Sequence, residues 1–149
     1  MRGILVRVLV IGVIVIGGLV FRDRISGAAA DLKVGDCFDE PAGVAETVDN
    51  VQHHPCTDAH TSEIFYVGDM PDAKGAAYPG IQAVEDFADA SCGAAFDAYV
   101  GTGADAATLD GGYFYPAEDG WKSGDRTVSC YVKAGDGKPL TRSLRVAAP

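Results

Sequence analysis

Every histidine of the chain, His53, His54 and His60, falls in one short stretch between Gln52 and Glu63, beside Asp58 and Ser62. Imidazoles and carboxylates this close are the donor types that hold zinc or copper, and an imidazole near Ser62 is what activates a hydroxyl nucleophile. The spacing favours neither chemistry. No pair of histidines has the helical step of the zinc proteases, and Pro55 interrupts any regular face. The stretch is therefore expected to be a turn whose polar side chains hydrogen-bond local backbone, with His60 in a structural role. A metal here would draw on His53, His54, Asp58 and His60, whereas a binding role would fall to His60 and Glu63. No catalytic residue and no cofactor is expected.

A second group is aromatic. Tyr113, Tyr115 and Trp121 could form a platform for carbohydrate or for an aromatic ligand. A small domain with one tryptophan needs its large rings for burial, so the expectation is a hydrophobic lid with Trp121 anchoring the loop.

The element that must position these groups is a helix over residues 81–100. Ile81, Val84, Ala88, Cys92, Ala95 and Tyr99 recur at three- and four-residue steps, Phe87 and Phe96 widen the stripe, and Glu85, Asp86, Asp89 and Asp97 occupy the other side. Early acids suit the N-terminal dipole, and Gly101 can end the helix. Strand-like alternation or β-branched and aromatic crowding marks four segments: one near residues 32–38, one running through Val48 and Val51 into Cys56, a central one over residues 63–67, and one over residues 126–133. In the last, Val128, Cys130 and Val132 share a face. Residues 102–112 are small and polar and read as a loop. Residues 117–121 follow Pro116 and suit a single helical turn. Asp136-Gly137 is a hairpin-type turn leading to a weak last strand near residues 140–146.

Ahead of all this lies an apolar run, residues 4–21, interrupted only by Arg7. As a helix the uncharged part from Val8 covers about 21 Å and the run from Ile4 about 27 Å, close to a bilayer core if Arg7 snorkels to the headgroups. Arg2, Arg7 and the amino terminus favour a cytoplasmic N-terminus. The rival reading is a cleaved signal peptide with Ala28, Ala29 and Ala30 as its small-residue site, which would leave a secreted domain. Arg22, Asp23 and Arg24 directly after the run favour an uncleaved anchor. The expected organisation is a membrane anchor over residues 1–25, a small-residue tether over 26–31, and an extracytoplasmic domain over 32–149.

Of the 12 basic residues, four lie in the first thirty positions with one of the 21 acids, so the exported part carries eight basic and twenty acidic residues, a net charge of −12. That sign repels nucleic acid and suits cationic partners. All four cysteines, Cys37, Cys56, Cys92 and Cys130, lie in the exported part, and no two have the spacing of zinc or thioredoxin-like motifs. In an oxidising compartment they are expected as two disulfides.

A run of short motifs, in order, resembles one known family. They are Gly35-Asp36-Cys37-Phe38, Pro55-Cys56 followed by His60 and Glu63, Tyr78-Pro79-Gly80 ahead of a helix bearing Cys92, Phe96 and Tyr99-Val100-Gly101, then Tyr115-Pro116, Trp121, Gly124-Asp125-Arg126-Thr127-Val128, Cys130, Leu140-Thr141 and Ser143-Leu144-Arg145. Together they are similar to the septum formation domain family of actinobacterial membrane-anchored or lipid-anchored proteins. Ala59 and Arg142 depart from that pattern, where the family tends to carry proline and glycine. The resemblance implies a cell-envelope protein linked to division, and it brings no catalytic residues with it.

The expected fold is therefore α+β: one N-terminal transmembrane helix, then a small disulfide-stapled domain with a mainly antiparallel sheet and one principal helix. The expected function is non-catalytic binding or scaffolding, with the membrane and an envelope protein or cell-wall component as partners and no nucleic acid. The alternative is an envelope metal-binding protein or hydrolase using the histidine stretch. Four cysteines allow three pairings, of which Cys37 with Cys56 and Cys92 with Cys130 are expected. The first closes two successive strand-like segments. The second joins the apolar stripe of the helix to the face of Val128 and Val132.

Overall fold

The structure is a computed structural model that describes residues 26–41, 48–71, 75–103 and 105–146. The expected membrane span, residues 4–21, lies outside the described residues, among which no helix is long and apolar enough to cross a membrane. Six strands form one antiparallel sheet: β1 Ser26–Ala28, β2 Cys37–Asp39, β3 Asn50–His54, β4 Ser62–Asp69, β5 Leu109–Phe114 and β6 Thr127–Ala134, in the order β1-β3-β2-β4-β6-β5. Helix α1, Ile81–Val100, packs on one face, and a short helix α2, Glu118–Lys122, follows β5.

The helix-facing core follows from two periodicities. Val84, Ala88 and Tyr99 are the buried residues of α1, and Ala88 and Tyr99 join one core with Val128, Cys130 and Val132, the alternate and wholly buried residues of β6. The Cys92–Cys130 disulfide crosses this interface, and Cys37–Cys56 closes the other end of the domain. Both pairs are the expected ones. In β4 a register shift between Ile64 and Tyr66 turns Phe65 and Tyr66 both toward α1, while Ile64 and Val67 both join the opposite face. That opposite face gathers Ala29, Leu32, Phe38, Val51 and Ile64, with Phe38, Tyr131 and Phe114 in mutual ring contact.

Four expectations are corrected. Residues 109–112 are strand rather than loop, because Gly112 lies directly across from Tyr131 and its missing Cβ leaves room for that ring. Part of the expected tether is structured: Ser26–Ala28 pairs with β3, and Ala29–Asp31 is a 3-10 turn whose Ala29 is buried. Residues 140–146 make no strand, only a bridge between Leu140 and His60, since the Leu144 N–H turns to Glu63 in β4 and the Val146 N–H to the Tyr99 carbonyl in α1. Finally, the first turn of α1 holds no acid. Gly101, at φ 81°, does end the helix, in a conformation that a Cβ would strain.

Candidate functional site

The register of β2 on β4 sets Cys37 opposite Glu63, on the sheet face that α1 covers. Glu63 is wholly buried, and a carboxylate in that position is costly unless its oxygens are occupied. Three donors occupy them. The Tyr99 hydroxyl, from the last turn of α1, donates to Oε1 at 2.6 Å, the Ser143 hydroxyl to the same oxygen at 2.6 Å, and the Leu144 N–H to Oε2 at 2.7 Å. The Tyr99 hydroxyl is pushed well above the usual phenol range, first by burial and then by its bond to Glu63 and that residue's charge, with the Arg145 guanidinium opposing. The carboxylate thereby ties together β4, the end of α1 and the C-terminal segment. That segment is fixed again where His60 and Leu140 exchange backbone hydrogen bonds and where the Val146 N–H donates to the Tyr99 carbonyl at 2.8 Å.

His60 lies beside this centre, 1% exposed. Its Nδ1 is 2.8 Å from the Asp58 carbonyl, which can only accept, so Nδ1 carries a proton and, in the neutral ring, Nε2 is the bare nitrogen. Nε2 is buried and, among the described residues, meets no hydrogen-bond partner. The ligating atoms that Cys37, His60 and Glu63 offer all lie within 4.8 Å of one another.

The metal set that the histidine stretch offers as the alternative is not assembled among the described residues. His53 and His54 leave β3 on opposite faces, and His54 Nε2 pairs instead with Asp39 Oδ2 at 2.8 Å. Asp58 contributes its carbonyl, not its carboxylate, to the His60 ring. His60 and Glu63 are brought together, but deep in the fold rather than on a surface. Tyr99, Ser143 and Leu144 complete that centre and were not expected in it. Their signal was present, since all three belong to the short motifs on which the family resemblance rests.

The aromatic group divides. Trp121 is buried, donating Nε1–H to the Ala76 carbonyl at 2.9 Å, with Tyr78 edge-on and the Arg126 guanidinium stacked 3.6 Å above its ring. It anchors its loop. Tyr115 is 39% exposed and touches the half-buried Tyr113, their ring centres 5.8 Å apart. Burial, then the charge of Asp89, raises the Tyr113 hydroxyl above its ordinary value; burial, then Tyr115, Glu118 and Glu85, raises Tyr78. Tyr78, Tyr113 and Tyr115 thus share one surface with Glu85, Asp89 and Glu118. Ile81, 46% exposed and one turn before Glu85, adds an apolar edge. A separate cleft of about 1290 Å³ opens beside Leu109, Leu140, Arg142 and Leu144, and none of the residues expected from sequence at a binding site lines it.

Among known families, the model of the septum formation domain matches residues 30–148, nearly all of the chain beyond the apolar run. No curated protein and no solved structure matches the chain.

Proposed function

The chain belongs to the septum formation family, and from that premise we propose that its domain is a non-catalytic binding or scaffolding module of the cell envelope. The apolar N-terminal run holds it in the membrane with the domain on the outer side. The partner is an envelope protein that presents a cationic segment to the face of Tyr78, Tyr113 and Tyr115. One observation carries the reading: the groups capable of chemistry are turned inward and committed to one another, Glu63 to three donors and all four cysteines to disulfides, whereas the exposed side chains around Tyr115 are aromatic, apolar and acidic. Acids beside exposed rings suit lysine or arginine, which gains from the ring face as well as from the charge.

The test places a photo-crosslinking residue at position 115 in the full-length protein in cells, and another at the exposed Lys138. A discrete envelope protein captured at 115, absent at 138 and lost when Glu85 and Glu118 are changed to lysine, supports the reading. Capture that ignores the charge reversal contradicts it. Protease treatment of intact cells tests the topology: digestion of the domain with the N-terminus retained in the membrane is expected, and a mature chain starting near Asp31 would replace the anchor by a cleaved signal.

A further inference from the structure

Among the described residues, the unpartnered Nε2 of His60 is the one group of the carboxylate centre with no internal task. A buried ring nitrogen that accepts nothing is unfavourable, and the ligating atoms that His60, Cys37 and Glu63 offer all lie within 4.8 Å of one another. We propose that this cluster is a redox-gated metal site, in which opening of the Cys37–Cys56 bridge lets the two thiolates, His60 Nε2 and Glu63 hold a zinc-type divalent cation. It differs from the set suggested by the histidine stretch, sharing only His60 with it.

The surroundings are those of a metal ligand shell. A ligating histidine usually donates its other ring N–H to a carbonyl, as His60 does to Asp58 at 2.8 Å, and a ligating carboxylate is itself hydrogen-bonded, as Glu63 is by Tyr99, Ser143 and Leu144. An ionised carboxylate has about four lone-pair positions, so three donors leave one for a cation. Zinc bonds of about 2.0–2.3 Å place tetrahedral ligands roughly 3.5 Å apart, which Cys37, His60 and Glu63 reach by closing about 1 Å, with Cys56 freed from the bridge as the fourth ligand. Two thiolates and a carboxylate outweigh the cation's charge by one, with the neutral imidazole as fourth ligand. The gate is chemical. In the disulfide neither sulfur is a thiolate. A dithiol reductant supplies two electrons and two protons, becoming a cyclic disulfide while Cys37 and Cys56 become thiols, and the cation then displaces those protons to solvent.

The test uses the full-length protein carrying Cys56→Ser, which leaves Cys37 as a thiol and the Cys92–Cys130 bridge intact, titrated with Co²⁺. One equivalent should bind with a thiolate-to-cobalt absorption that the oxidised wild type lacks, and adding His60→Ala should weaken binding by at least about tenfold, the scale on which shell groups act. Absent absorption in folded Cys56→Ser, or affinity unchanged without His60, would overturn the site. Should that variant not fold, the wild type is reduced with a phosphine and alkylated with and without one equivalent of Zn²⁺. Zinc should then slow modification of Cys37 and Cys56 in the wild type and not in His60→Ala, and equal rates in the two proteins would overturn it.

Discussion

The two ends of helix α1 carry tyrosines to opposite purposes. At its C-terminal end Tyr99 is buried and spends its hydroxyl on Glu63. At its N-terminal end, Ile81, Glu85 and Asp89 border Tyr78, Tyr113 and Tyr115, whose outermost member stands open to solvent. The same residue types, tyrosine and carboxylate, are architecture in one place and surface in the other. Burial makes the difference: a wholly buried carboxylate must be saturated by its own fold, while an exposed one is satisfied by water and remains available to a partner.

The largest effect should come from emptying the buried end. Glu63→Ala leaves the Tyr99 hydroxyl, the Ser143 hydroxyl and the Leu144 N–H without their acceptor, a loss of about 5 kcal/mol at roughly 1–3 kcal/mol for each orphaned group. Glu63→Gln should cost only about 2 kcal/mol, because its carbonyl can serve Leu144 while its amide donates to the two hydroxyls. Denaturant unfolding followed by Trp121 fluorescence separates the two variants. A cost for Glu63→Ala below that of a surface substitution would break the contrast between the ends.

Next comes the staple between helix and sheet. Replacing Cys92 and Cys130 together by alanine should cost roughly 4 kcal/mol on loop-closure grounds, against roughly 3 kcal/mol for Cys37 and Cys56, whose sequence separation is 19 rather than 38. Unfolding midpoints of the two double variants give that order.

Alkaline pH acts on the buried phenols. Burial, then the charges of Glu40 and Asp110, pushes the Tyr131 hydroxyl up to about 12 from 10.0. A phenol whose folded value is raised contributes stability that is fully present below its unfolded value and is lost as pH rises toward the folded one. Stability should therefore fall from about pH 10 to about pH 12, with Tyr99 adding in the same direction, and Tyr131→Phe should make that fall shallower. An unchanged slope in Tyr131→Phe would mean that its ring sits in a wetter place than the stack with Phe38 and Phe114 provides.

The smallest effect on folding is expected at the exposed end. Tyr115→Ala should change stability by no more than about 0.5 kcal/mol, as surface substitutions do, while weakening partner contact.

Where the chain repeats a simple period, the fold was legible. The bounds of α1, the buried face of β6 and both disulfide pairs followed from apolar spacing and from which cysteine shared which face. Legibility failed where a residue's meaning depends on a distant one. Gly111 and Gly112 look like a loop until Tyr131 is known to lie across from Gly112. Ser143 and Leu144 look like a weak strand until Glu63, eighty residues earlier, is known to need donors. The alternative metal set of the histidine stretch fails for the same reason. Nearness in sequence suggested a shared site for His53, His54, Asp58 and His60, but strand alternation sends His53 and His54 to opposite faces and His60 inward beneath the Cys37–Cys56 end of the sheet.

The most direct test of the division between the ends is crosslinking from position 115 in cells, compared across two full-length variants: Glu85→Lys with Glu118→Lys, and His60→Ala verified as folded. If binding resides at the exposed aromatic and acidic face and the buried centre is internal, the crosslink disappears in the charge-reversed protein and persists in His60→Ala. A crosslink that survives charge reversal and vanishes in His60→Ala would contradict the account.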